Sequence, residues 1–193
     1  MALTQETVVE TAVGLLRRFG LGDLSMRRLA RELEVQVGAL YWHVKNKQEL
    51  LVEVAAAILG APALAAGPDG PERSAGGSPS DGSGDRLDAR GRILHLAATL
   101  HTTLLPVPDS PEVVNVARVL APGRLEPLTR LTELLETAGL DRAGAVSAQA
   151  MIVNHVLGSV AEAQNRADFD VPGSDAPDFR WALERALDGL LHP

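Results

Sequence analysis

Residues 25–47 read SMRRLARELEVQVGALYWHVKNK. Ser25 is a helix N-cap residue ahead of a short helix whose inner face carries Leu29, Ala30 and Leu33. Three polar or small residues interrupt the pattern, and a second short helix is predicted over 38–43. Asn46 with Glu49 three places on is a capping-box pair that opens a further helix to about Leu59. Upstream, Val8, Ala12, Leu15, Leu16 and Phe19 recur at helical spacing over 4–19, and Gly20 is a left-handed stop. A supporting helix followed by helix, tight turn and helix is helix-turn-helix architecture. Its second helix enters the major groove of DNA, and neighbouring donors reach phosphates to fix the register. That helix offers Gln36, Tyr41, Trp42 and His43, flanked by Lys45 and Lys47. Two adjacent aromatics, a histidine and two lysines on so short an element are poorly explained as core alone.

The remainder is also helical in pattern. Residues 61–85 are the exception: 14 of these 25 are Gly, Pro or Ser. They offer little apolar area to offset ordering, so a flexible linker is expected. Helices are predicted over 86–105, stopped by Pro106, and from Ser110, read as an N-cap before Pro111, to about Ala121. Others follow over 125–138, ended by Gly139, from the Asp141 cap to about Arg166, and from the Asp178 cap through Phe179, Leu183, Leu187 and Leu190. Residues 167–177 read as a polar loop. The expected fold is all-α. A three-helix helix-turn-helix DNA-binding domain spans 1–46 and a connecting helix 47–60. The linker spans 61–85, and a helical effector-binding and dimerisation domain 86–193.

Composition narrows the function. The chain has 193 residues, 46% of them hydrophobic and 3% aromatic, and no cysteine. Disulfides, thiolate metal sites and cysteine nucleophiles are excluded. No signal-peptide pattern opens the chain, and the longest apolar stretch, near 148–153, is broken by Gln149 and Asn154, so no membrane span is expected. A cytoplasmic protein is the expectation. The net charge of -7 argues against a nucleic-acid partner until its distribution is seen. Residues 1–50 hold 7 basic and 6 acidic side chains, including both lysines, while 51–193 hold 11 basic and 19 acidic. The acidic bulk weakens nonspecific DNA binding without preventing a local basic contact surface. There is no Gly-x-Ser-x-Gly elbow, phosphate-binding glycine loop or His-Glu-x-x-His, so an enzyme is not expected.

The run LYWHVKNK at 40–47, with Arg27 and the Leu29–Ala30 pair, closely resembles the tetracycline-repressor family of transcriptional regulators. The likeness covers 4–55 strongly and returns at 157–164 and 179–190, which look like that family's dimer-forming helices. It implies that Arg27 contacts a base, Tyr41 and His43 the DNA backbone, Trp42 the backbone or a methyl group, and Lys47 a phosphate. Departures carry information too. Glu34 stands where the family usually has a turn glycine, so this turn must accept a side chain. Val37, Gly38 and Ala39 replace a Gln-Pro-Thr; Gln would read an adenine and Val cannot, so the operator should differ. Tetracycline-binding members use a metal-liganding histidine in the central loop. This chain reads Leu105-Pro-Val-Pro-Asp-Ser110 there, which argues against magnesium–tetracycline.

The resemblance implies a homodimer on a palindromic double-stranded operator and a small-molecule effector inside the C-terminal domain. His95, Thr99 and Thr102 share one helix face, and Met151, Asn154 and His155 lie on another helix. Together with Leu128, Leu131 and Trp181 they are the expected lining, a mostly apolar cavity with few polar groups. The same residues could instead fill a core. No metal spacing is seen among the histidines, and no cofactor is expected. The expected function is a ligand-released repressor, with a helical DNA-binding or interaction protein lacking an effector as the alternative.

Overall fold

The structure is a computed structural model, and it describes residues 3–65, 83–170 and 178–191. Among these residues there are helices and no strand. The helices are α1 Gln5–Asp23, α2 Met26–Glu32, α3 Val37–Leu40, α4 Lys47–Leu59, α5 Pro62–Ala65, α6 Ser83–Leu104, α7 Ser110–Leu120, α8 Glu126–Thr137, α9 Arg142–Asp168 and α10 Phe179–Leu191, with a 3-10 turn at Pro122–Arg124. They form two compact units. One holds the described residues up to Ala61 together with Thr103–Glu126; the other holds those of 62–102 and 127–193.

The first unit is built on α1 and α4. Val8, Ala12, Leu15 and Leu16 of α1, Leu50, Val54 and Ile58 of α4, and Leu29 of α2 are buried. Each such side chain contributes about 1.5–3 kcal/mol when fully removed from water. The segment Thr103–Glu126, which the sequence places in the domain 86–193, belongs to this compact unit. α7 packs against α4, because Val113, Val114 and Ala117 form an apolar face that is buried in this unit.

The α6–α7 corner shows a second departure. Ser110 does not cap α7. Its hydroxyl is buried and donates to the Leu104 carbonyl at 2.9 Å, satisfying the end of α6. The capping position belongs to Asp109, which has φ 56 and makes no side-chain bond to α7. Its carboxylate instead accepts from the Leu21 amide at 2.6 Å. That amide is turned outward by Gly20, whose φ of 72 and ψ of 179 kink α1 before its last turn. This backbone region is essentially restricted to glycine.

In the second unit, Ile93, Ala97 and Leu100 of α6, Leu128, Leu131 and Leu135 of α8, Ile152, Val156 and Val160 of α9, and Leu183 and Leu187 of α10 are buried. The linker expectation fails at both ends of 61–85. Pro62–Ala65 is helical with Leu64 buried, and Arg130 Nη1 donates to the Leu64 carbonyl at 3.4 Å. α6 begins at Ser83. Residues 66–82, and residues 171–177 of the expected polar loop, lie outside the described residues. Contrary to expectation, α9 is long and apolar enough, by length and composition, to cross a membrane. Its buried face, from Ala145 to Val160, packs into the second unit as a core helix does.

Candidate nucleic-acid interface

Local chemistry sets the helix-turn-helix. The Ser25 hydroxyl accepts from the Arg28 amide at 3.2 Å and starts α2. The turn after α2 passes through Glu34 in the left-handed region, φ 55, so it does accept a side chain there. The Val35 amide closes it onto the Ala30 carbonyl at 2.9 Å. α3 covers Val37–Leu40 rather than 38–43. Residues 41–43 tighten into a turn, with the His43 amide bonded to the Leu40 carbonyl at 2.9 Å. The Val44 amide bonds to the same carbonyl at 3.0 Å, and Leu40 and Val44, four residues apart, are buried on one side. Asn46 Oδ1 then accepts from the Glu49 amide at 2.8 Å and opens α4.

With Leu40 and Val44 held inward, the residues between them face out. Trp42 is 90% exposed and Tyr41 51%. Gln36, Gly38, Lys45 and Arg27 are exposed, and Val37, Ala39, His43 and Lys47 half-buried. Trp42 and Tyr41 thus put two adjacent aromatic side chains at the surface. The basic residues divide into two groups. Arg18 pairs with Glu32, Arg28 with Asp23 at 2.7 Å, and Arg124 with Glu53 at 2.7 Å. Arg28 also stacks on Phe19, 3.9 Å from the ring centroid. Arg17, Arg27, Arg31, Lys45 and Lys47 have no salt bridge among the described residues. Their positive charge is thus left for an anionic partner.

The effector residues expected from sequence are placed less uniformly. Leu128 and Leu131 are buried, Thr99 and His155 half-buried, and His95, Thr102, Met151, Asn154 and Trp181 exposed. The Thr99 hydroxyl donates to the His95 carbonyl at 2.8 Å, and that of Thr102 to the Ala98 carbonyl at 3.1 Å. What the second unit does bring together is His101, His155 and Phe179. Both imidazoles stack on the Phe179 ring, with centroids at 4.4 and 5.0 Å. His155 Nε2 lies 3.1 Å from the Phe179 carbonyl and His101 Nε2 3.2 Å from Ser159 Oγ. Sequence reading left His101 out of the site, since its aromatic partner lies on a helix far along the chain.

Burial, and then the charge of His155, hold the His101 pKa below the usual histidine value. The unfolded chain therefore binds this proton more readily than the folded one. The stability from a neutral His101 is complete above the unfolded value of about 6.5 and is lost as pH falls through and below it. Thermal melts at about pH 7.5 and about pH 5.5 should show a larger drop for the wild type than for His101→Phe. An equal drop would remove His101 as the source of acid sensitivity.

The family model for bacterial regulatory proteins of the tetR family matches residues 8–54. That for the tetracyclin repressor-like C-terminal domain matches residues 79–188. An HTH-type transcriptional regulator of Saccharopolyspora erythraea is 33% identical over 159 residues, covering 82% of this chain and 60% of that protein. The chain thus spans less than two thirds of that relative. The crystal structure of BioQ with its double-stranded DNA operator matches over 100% of both chains, with TM-score 0.74 and 31% identity. A TetR point variant of Acinetobacter baumannii in complex with minocycline matches over 97% of this chain and 96% of that one, with TM-score 0.74 and 29% identity.

Proposed function

Because the chain belongs to the tetR family of bacterial regulatory proteins, we propose that it is a transcriptional repressor, acting in the cytoplasm as a homodimer on a near-palindromic DNA operator and released by a small molecule. The observation that carries the DNA reading is the outward Tyr41–Trp42 pair beside the unbridged Arg27, Lys45 and Lys47. In this reading Arg27 and the residues 36–39 address base edges. Tyr41, Trp42, His43, Lys45 and Lys47 hold the backbone. The likeness to BioQ with its operator and to TetR with minocycline supports both partners.

The dimer seam is assigned to α9 and α10. On α9, Ser147, Met151, Asn154, Gly158, Glu162 and Asn165 follow one another at spacings of three or four and are all exposed, a single helix face turned away from the core of the unit. Half-sites about one helical turn apart, roughly 34–36 Å, are expected for such a dimer. The effector is assigned to the second unit, around the half-buried Thr99 and His155. The exposure of His95 and Thr102 favours a second reading, a DNA-binding protein without an effector. A screen for compounds that release the wild type from its operator separates the two, and Asn154→Leu and His155→Leu then locate the ligand. Unchanged release, in both variants, by a compound found in screening would place the ligand elsewhere.

Arg27→Ala should cost about 1–3 kcal/mol of operator binding and relax one base position. Lys47→Ala should weaken all sequences alike and lower the slope of log K against log salt by about one. Wild-type titrations from both variants would overturn the DNA-contact assignment.

A further inference from the structure

α3 is unusual in what it does not offer. Successive residues of a helix are rotated by about 100°, so the side opposite the buried Leu40 is centred on Gly38, with Ala39 on one flank and the half-buried Val37 at the edge between that side and Leu40. None of the three has a side-chain hydrogen-bonding group. Gln36, at the capping position, makes no capping bond and is the one amide at the edge of this face. Polar base edges therefore find no partner at its centre. The one apolar group that the major groove presents is the 5-methyl of thymine.

Gly38 adds a second observation. A Cβ built there meets nothing within 4 Å, and its φ is not in the left-handed region. The fold therefore gives no reason for a glycine, and a glycine inside a helix is destabilising relative to alanine. Nothing in the protomer stands in the way of a close approach of this backbone to another molecule.

We infer that α3 selects thymine, with the half-exposed edge of Val37 seated against a 5-methyl group and Gly38 allowing the backbone to come close enough for that contact. Val37 is half-exposed in the free protein, so covering it with a methyl group removes apolar surface of both partners from water. The inference rests on the reading of α3 as the base-reading helix.

The test uses the full chain. An operator is first enriched from a random duplex pool. Each of its thymines is then replaced singly by deoxyuridine, which deletes the methyl and leaves the hydrogen-bonding pattern intact. At one thymine per half-site, loss of the methyl should weaken binding about four-fold, and about 15-fold when both half-sites lose it. Val37→Ala should bind the thymine and deoxyuridine duplexes alike. Gly38→Val should melt no lower than the wild type yet lose about ten-fold or more in affinity for the enriched operator. Equal wild-type affinity for every deoxyuridine duplex would overturn thymine selection, and full affinity of Gly38→Val would overturn the close approach. Failure to enrich any sequence would instead overturn the base-reading role of α3, and the inference with it.

Discussion

Gly158→Glu is expected to leave the protomer folded and to weaken operator binding by about 100-fold or more. Gly158 lies on the exposed face of α9, and a Cβ built there meets nothing within 4 Å. Within the protomer, replacing a helical glycine is mildly favourable, by up to about 1 kcal/mol. The face it shares with Met151, Asn154 and Glu162 is the one assigned to the second subunit. A carboxylate there would stand against its own copy and against Glu162 on both sides of a two-fold axis, where the interface is isologous. Each reader would then bind its half-site alone, losing the effective concentration that linkage supplies, typically a factor of about 10²–10⁴. Sedimentation should shift from dimer to monomer while the helical circular dichroism stays unchanged. A variant that remains dimeric with full affinity would move the seam off this face of α9.

The second large effect is expected at the kink of α1. Gly20→Ala should destabilise the protein by about 3 kcal/mol, from two separable causes. The backbone at φ 72 and ψ 179 disfavours any residue with a Cβ by about 1–3 kcal/mol. That Cβ would also stand 2.7 Å from Asp109 Oδ2, displacing the carboxylate from the Leu21 amide. A hydrogen bond to a charged group is worth about 1.5–3 kcal/mol. Asp109→Ala loses the hydrogen bond and also places an alanine at φ 56, where aspartate is better tolerated. The double variant should therefore be less destabilised than the sum of the single ones, since both remove the same contact. Urea denaturation of all three variants measures this. A strictly additive result would show that the carboxylate does not hold the kink.

Much of the fold was legible because the signals are local. Ser25, Asn46, Asp141 and Asp178 all accept from an amide three residues on, as their positions before apolar-periodic segments implied. Ser110 before Pro111 carries the same local signature and misled, because its hydroxyl turns back six residues to the Leu104 carbonyl. The apolar spacing of Val113, Val114 and Ala117 told that α7 has a buried face. It did not tell that the face belongs with α4. The exposure of Tyr41 and Trp42 was legible for a different reason: they sit between two residues that must be inside, so it follows from the local register. The histidines of the second unit had no such register. The stack of His101 and His155 on Phe179 joins three helices, and no short window of sequence contains it.

Because α7 completes the first unit from beyond residue 102, that unit is not finished when its own N-terminal segment has been made. At about 5–20 residues per second, the ribosome takes about 3–13 s to pass from residue 61 to residue 126. Throughout that interval the α7-facing side of α4 has no cover on the nascent chain. The DNA reader is translated before α7 and yet cannot close until α7 has been made. A nascent fragment ending near residue 61 should therefore engage chaperones, and a reader grafted onto another protein as residues 1–61 alone would carry this open face with it.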